Sequence, residues 1–186
     1  MKKNLVSTTL TRLAALLLAT TVVHTAMAAT VTWDDGDGTD NWSAGANWTG
    51  TPDDTAPGSS DTAQFDGSGP SPAVVNFLDD PDSTTTVNKI VFAQGVNFDI
   101  NDDGGGDDML TVGNGGIEVD DAFTYTINVA LGLNTTGTTF DVTTGGTLDI
   151  QDLADKDGGM DTYTKVGTGK LILNVNTTAA HNIAAE

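Results

Sequence analysis

Alternating apolar residues fill the middle of the chain. Leu110 and Val112 alternate with polar neighbours, and Ile117 and Val119 do so again after a glycine-rich turn expected at 113–116. A longer alternation follows, made of Tyr125, Ile127, Val129, Leu131 and Leu133. A side-chain period of two predicts β-strands, and the Gly, Asn and Asp residues between the runs predict turns.

The same pattern continues on both sides of this stretch. The predicted strands are Ala73–Leu78, Thr86–Phe92, Val96–Ile100, Met109–Val112, Ile117–Val119, Tyr125–Val129, Thr139–Val142, Thr147–Ile150, Tyr163–Val166 and Lys170–Val175. No segment after the first 28 residues has the 3.6-residue apolar period of a helix.

Apolar pairs recur along these strands at steps of roughly twenty residues. One series comprises Ile90/Phe92, Leu110/Val112, Ile127/Val129, Leu148/Ile150 and Leu171/Leu173. A second series lies between its members and comprises Phe98/Ile100, Ile117/Val119 and Phe140/Val142. An antiparallel sandwich would also give many short strands. The repeat step favours an all-β coil of parallel strands, a β-solenoid.

The first 28 residues read as a targeting segment. Lys2, Lys3 and Arg12 form a basic start, Leu13–Val23 is an apolar run, and Ala26-Met27-Ala28 fits a cleavage site. This order predicts a secretory signal peptide over residues 1–28, and hence an exported protein at the cell surface or outside the cell. The alternative is a membrane anchor, but the apolar run is shorter than the ~20 residues that a span needs. No later segment is predicted to span a membrane as a helix.

Removal of this segment makes the chain strongly acidic. Three of the 7 basic residues and none of the 26 acids lie within it, so the remainder has four lysines, no arginine and a formal net charge of −22. Such a surface repels nucleic acid, so no nucleic-acid partner is predicted. The chain has no cysteine, so disulfides cannot stabilise it after export.

All three tryptophans, Trp33, Trp42 and Trp48, lie in the segment 29–70. One interpretation is an aromatic platform for sugar rings, built on Trp42 and Trp48. The other is a hydrophobic cap over the open end of a repetitive fold, which we favour because this segment has few other large apolar residues. Matches to the N-glycosylation pattern occur at Asn41, Asn47, Asn134 and Asn176.

A Gly/Ser/Pro-rich joint at 67–72 separates the two parts of the exported chain. The predicted organisation is therefore a signal peptide at 1–28, a Trp/Asp-rich N-terminal cap segment at 29–70, and β-solenoid coils at 71–186. The coils are predicted to be incomplete at the C-terminal end.

Two sequence motifs resemble those of a known family. The order Trp33-Asp34, Asp40-Asn41-Trp42-Ser43, Asn47-Trp48, Pro57-Gly58, Asp61-Thr62-Ala63-Gln64-Phe65 resembles the N-terminal pattern of exported proteins with autotransporter-associated β-strand repeats. The segment Lys165-Val166-Gly167-Thr168-Gly169-Lys170-Leu171-Ile172-Leu173 resembles the repeat itself, K-x-G-x-G-x-L-x-L. The resemblance implies a right-handed parallel β-helix, here with an N-terminal Trp-rich cap, in a secreted or surface-displayed passenger.

The sequence offers little catalytic chemistry. The exported part has no arginine, and His181 is its one histidine. Adjacent carboxylates occur at 102/103, 107/108 and 120/121, but in glycine-rich surroundings they are typical of solvated turns, whereas a glycosidase needs two carboxylates across a cleft. No enzyme activity and no catalytic residue are predicted.

Calcium is the one cofactor for which the sequence has a candidate site. Asp99, Asn101 and Asp103 match the first half of a calcium loop, and Asp107 falls at its ninth position. Leu110 stands where the bidentate Glu should be. The alternative interpretation is a solvated Asp-rich turn without metal.

The predicted function is a secreted or surface-displayed, non-enzymatic β-solenoid with a structural or adhesive role and a surface or glycan ligand. The alternatives are a carbohydrate-binding module that uses Trp42 and Trp48, and, third, a β-helical polysaccharide-degrading enzyme. Leu171 and Leu173 are expected to be buried in the last coil, and Ile183 is the one large apolar residue after it. Too little chain follows to cover that coil, so self-association is predicted at the C-terminal end.

Overall fold

A computed structural model of the chain describes residues 28–50, 54–68, 74–77, 84–93, 95–102, 108–133, 137–154, 161–175 and 181–185. The predicted signal peptide lies outside this part, apart from its last residue. Within the described ranges, no helix is long and apolar enough to cross a membrane.

The described residues form fourteen strands and one short 3-10 turn. The strands are β1 (Thr30–Trp33), β2 (Trp48–Thr49), β3 (Thr62–Phe65), β4 (Val74–Phe77), β5 (Thr84–Phe92), β6 (Phe98–Asp102), β7 (Met109–Val119), β8 (Thr124–Ile127), β9 (Ala130–Leu133), β10 (Thr139–Val142), β11 (Thr147–Ala154), β12 (Asp161–Val166), β13 (Lys170–Val175) and β14 (His181–Ala185). The 3-10 turn is Gly45–Asn47.

The strands stack in parallel register as the faces of a β-solenoid. Face one runs through β1, β3, the second half of β5, the second half of β7, β10 and β12. Face two runs through β4, β6, β8, the first half of β11 and β13. Face three joins the first halves of β5 and β7 to β9 and the end of β11. The predicted parallel β-solenoid is confirmed.

Inward-pointing apolar side chains from all three faces form one continuous core. On face one, Ile90 and Phe92 lie under Ile117 and Val119, and on face two Leu148 lies beside Tyr125. These side chains are almost fully buried. Complete burial of one such side chain contributes about 1.5–3 kcal/mol, so the stacked pairs are the main stabilising feature of the coil.

The structure places the predicted apolar pairs on three faces, and these faces do not correspond to the two predicted series. Leu110/Val112 belongs to face three, whereas Leu148/Ile150 belongs to face two, so the first series mixes pairs from different faces. The pairs themselves are buried as predicted, except Leu171/Leu173, which are half-buried. Their spacing alone could not separate three faces, because the corners between faces differ in length from coil to coil.

The glycine-rich segment 113–116, predicted as a turn, lies inside a strand. β7 is continuous from Met109 to Val119. Its register with β5 shifts where Val87 pairs with Val112 and Lys89 pairs with Gly116, so three residues of β7 oppose one residue of β5. The glycines form a bulge that bends the strand from face three into face one, as bulges commonly do.

The two ends of the described stack differ. At the N-terminal end, β2 pairs antiparallel with β1 and ends the parallel series. At the other end, β13 pairs with β11, and β14 lies on β12. Leu171 and Leu173 are half-buried, whereas Leu148 and Ile150, their partners one coil earlier, are fully buried.

Candidate functional site

The three tryptophans pack against one another at the N-terminal end of the core. Trp33 and Trp42 are 1% exposed and Trp48 is 0% exposed. The ring centroid of Trp48 lies 5.1 Å from that of Trp33 and 4.8 Å from that of Trp42, both in edge-on geometry. Phe65 joins this cluster to the next coil. Neither Trp42 nor Trp48 offers a ring face to a sugar, so the platform interpretation is wrong for these residues, and they pack as the cap interpretation expected.

Asn47 holds the loop that carries the tryptophans. Its side chain is fully buried; the amide oxygen accepts from the Asp37 N–H at 3.0 Å, and the amide nitrogen donates to the Thr39 hydroxyl and to the Asn41 carbonyl. The Asn41 amide oxygen in turn accepts from the Ser43 N–H. Both amides are enclosed by the fold, so the glycosylation matches at these two positions are not accessible in the folded chain. Asn134 and Asn176 lie outside the described residues.

The pKa values of Asp37 and Asp40, two acidic residues of this loop, are shifted in opposite directions. The hydroxyl of Thr39 donates to the Asp37 carboxylate at 2.6 Å, and this is the main reason that the pKa of Asp37 is lowered. Burial raises the pKa of Asp40 above its usual range, with a smaller contribution from the charge of Asp35. Both Asp35 and Asp40 have positive φ, at 50° and 54°. The Asp35 and Asp37 carboxylates accept from the Asp40 and Thr39 N–H groups, so these acids shape the loop.

The predicted calcium ligands are only partly described. Asp99 and Asn101 lie on β6 and alternate with the buried Phe98 and Ile100, so they share its outward side. The Asn101 amide oxygen accepts from the Asn128 amide at 2.6 Å. Asp103 and Asp107 lie outside the described residues. Among the side chains that the structure describes, no group of three His, Cys, Asp or Glu could hold a metal ion.

Asp121 organises the corner between β7 and β8. Its carboxylate accepts from the buried Tyr125 hydroxyl at 2.5 Å, from the Gly95 N–H of the preceding coil at 2.7 Å, and from the Phe123 N–H at 3.1 Å. One carboxylate thus fixes its own turn and attaches it to the neighbouring turn. Of the adjacent acid pairs noted in the sequence, 120/121 is the one that lies wholly within the described residues, and Asp121 has this structural role.

The corner between β12 and β13 explains the K-x-G-x-G motif. Lys165 donates from its ammonium group to the carbonyl oxygens of Val166 at 3.0 Å and Gly167 at 2.6 Å, which closes the turn. A Cβ on Gly167 would lie 2.3 Å from the Val142 carbonyl oxygen, and a Cβ on Gly169 would lie 2.1 Å from that of Thr143. The two glycines are needed because this turn lies directly on the backbone of the preceding coil.

A row of amide side chains crosses the outer side of face two, one in each coil. Parallel pairing places Asn101, Asn128, Gln151 and Asn174 next to one another at the end of the buried pairs. The Asn174 amide donates to the Gln151 amide oxygen at 3.1 Å, as Asn128 does to Asn101. We call these four residues the amide row.

The sequence analysis missed the amide row, although the signal was present. An amide follows each buried pair of face two, in Phe-Asp-Ile-Asn, Tyr-Thr-Ile-Asn, Leu-Asp-Ile-Gln and Leu-Ile-Leu-Asn. The pattern becomes visible only when the pairs are sorted by face.

The fold defines the class of this protein as an acidic parallel β-solenoid with a tryptophan-packed N-terminal end. Comparison with protein families, with curated proteins and with solved structures finds no match for the chain.

Proposed function

We propose that this chain is an exported or surface-displayed β-solenoid with a structural or adhesive role and no catalytic activity. The observation that carries the proposal is the use of its carboxylates. Asp121 holds two turns together, Asp61 accepts from the Ala29 and Gly58 N–H groups, and Asp66 accepts from the Ser68 N–H. Side chains that could serve catalysis instead fix the corners of a rigid stack.

The sequence supports export and the passenger-type assignment. The segment 1–28 has the order of a signal peptide. The motif from Lys165 to Leu173, on which the family resemblance rests, has a physical reason in this fold, because its glycines allow turns of adjacent coils to touch. A chain of stacked coils also presents long, regular outer faces, which suit adhesion to an extended partner.

The proposal is tested by expression of the full-length gene in a bacterial host, followed by fractionation and N-terminal sequencing. Export requires that the mature protein begin at Ala29 and be found outside the cytoplasm. Beads coated with the recovered protein should adhere to a test surface. Beads coated with a heat-unfolded sample should not adhere to the same surface. Protein that stays in the cytoplasm and still begins at Met1 contradicts the export proposal.

We also propose that the end of the stack at β13 associates with a second copy of the chain. Leu171, Ile172 and Leu173 are half-buried, although the inward pair one coil earlier is completely covered. Among the described strands, β13 is hydrogen-bonded to β11 alone. An edge with unpaired N–H and C=O groups next to apolar side chains is a template for strand pairing between chains.

A further inference from the structure

The outer side of face two carries chemistry that the structural role does not use. We propose that this surface binds an uncharged polysaccharide, with the amide row as its hydrogen-bonding groups and Phe123 as its stacking residue. The inference rests on the proposed adhesive role and names the ligand class for it.

The amide row provides repeated hydrogen-bonding capacity at a fixed spacing. Asn128, Gln151 and Asn174 are exposed. The Gln151 amide also donates to the Asp149 carboxylate at 2.6 Å. A primary amide has two donors and an acceptor oxygen with two lone pairs, which is still more than these bonds and the bonds within the row use. Because neighbouring strands lie about 4.8 Å apart, the four amides from Asn101 to Asn174 span about 14 Å along the solenoid. Hydroxyl groups of a sugar chain can donate to and accept from the same amide.

Phe123 supplies an apolar contact at the opposite edge of the same face. It is 39% exposed, and among the side chains that the structure describes it is the one exposed large apolar residue. It directly precedes β8, whose outward residues Thr124 and Thr126 lead to Asn128. At about 3.3 Å per residue, this line from Phe123 to Asn128 is about 16 Å long. An area of this size accommodates several sugar rings, with an aromatic ring for their C–H faces.

Charge decides which polymer fits this surface. Without the segment 1–28 the chain has a formal net charge of −22, which repels polymers of uronic acids, sulfates or phosphates. The amide row itself is uncharged, and the outward positions of β8 are threonines. Asp99 and Asp149 lie on either side of Thr126 in the same outward column and add negative charge to this surface. The ligand class that fits is a neutral glycan, because its hydroxyl groups can bond to the hydroxyls and amides of this surface, its C–H faces can pack on Phe123, and it needs no positive charge on the protein.

The test is direct binding to purified protein, measured by affinity electrophoresis and calorimetry. The probes are galactomannan, mixed-linkage β-glucan and xylan, with polygalacturonate as the anionic comparison. We expect at least one neutral polymer to bind and polygalacturonate not to bind. Phe123→Ala and the double variant Asn128→Ala/Gln151→Ala should each weaken binding at least tenfold without a change in melting temperature, and Phe123→Tyr should retain it.

Gln64→Ala is the matched control, since Gln64 is an outward amide on face one. Its binding should equal that of the unmodified protein. The proposal is overturned if no neutral polymer binds, if polygalacturonate binds equally well, or if the face-two variants bind as tightly as Gln64→Ala. Failure here leaves the export test unaffected, because localisation is measured without any glycan.

Discussion

Three glycine-to-alanine substitutions distinguish two destabilising effects at the corners of the coil, backbone strain and steric clash. Gly95 has a φ of +73° and nothing within 4 Å of a built Cβ, so its substitution introduces backbone strain alone. Gly169 has a φ outside the left-handed region, but its Cβ would lie 2.1 Å from the Thr143 carbonyl oxygen, so its substitution introduces a steric clash alone. Gly167 combines a φ of +72° with a Cβ position 2.3 Å from the Val142 carbonyl oxygen.

The magnitudes follow from these contacts. A left-handed alanine costs about 1–2 kcal/mol, partly offset by about 0.4–1 kcal/mol from the smaller entropy of its unfolded chain, so Gly95→Ala should destabilise by about 1 kcal/mol. Overpacking against a backbone atom costs about 1–3 kcal/mol, which applies to Gly169→Ala. Gly167→Ala should lower the free energy of unfolding by about 2–4 kcal/mol, because backbone strain and steric clash act at one residue.

Urea unfolding followed by tryptophan fluorescence and by far-ultraviolet circular dichroism gives the free energies of unfolding. For a chain of this size, 1 kcal/mol corresponds to a shift of about 2–4 °C in melting temperature, which provides a second measurement. Hydrogen exchange at the β13 amides distinguishes local opening of the last coil from global unfolding. If Gly167→Ala is no more destabilising than Gly95→Ala, by either measurement, the close contact between adjacent turns is not what requires glycine here.

Three further predictions concern protonation, association and metal. Asp40→Asn should stabilise the protein at pH 7, because burial raises the pKa of Asp40 and ionisation of this residue in the folded protein therefore lowers the free energy of unfolding. This gain should disappear as the pH falls to 3.8, the ordinary pKa of an aspartate. Asp37→Asn should destabilise the protein at pH 7, because the pKa of Asp37 is lowered, and chemical unfolding at a series of pH values measures both effects. Ile172→Lys should reduce self-association in sedimentation experiments, whereas Thr126→Lys, in the same outward column of face two, should not; a monomeric unmodified protein would contradict the proposed pairing. Millimolar calcium should raise the melting temperature more than magnesium does if the four candidate ligands that begin at Asp99 bind an ion, and an unchanged melting curve would leave only the solvated-turn interpretation.

Local sequence determined the buried sides of many strands, although β1, β2, β3, β9 and β14 were not among the predicted strands. The alternation at Ile90/Phe92, Ile117/Val119 and Phe140/Val142 predicts which side chains enter the core, and all six are buried. A period of two is a property of the extended backbone itself, so it can be read without knowledge of any partner strand. The repeat step of roughly twenty residues was sufficient to favour parallel coils over an antiparallel sandwich, although it was read from pairs that lie on different faces.

Tertiary structure decided which strands share a face. The glycine-rich segment 113–116 looks like a turn in sequence but is a bulge within β7, because β5 on the adjacent coil continues to pair on both sides of it. The same is true of the surface that we propose to be functional. Asn101 and Asn128 are 27 residues apart in the chain and become neighbours only through the register of β6 and β8.

The tryptophans show the same division between sequence and fold. Their number and position predicted an aromatic cluster near the N-terminal end, but either a sugar platform or a cap was consistent with the sequence. The structure has the cap arrangement. The Asn47 side chain is hydrogen-bonded to Thr39 and Asn41, and these bonds hold the loop against the core with Trp48 packed on Phe65. Exposure of a side chain depends on what the rest of the chain lays over it, and this information is non-local, whereas the alternation that defines a strand is local.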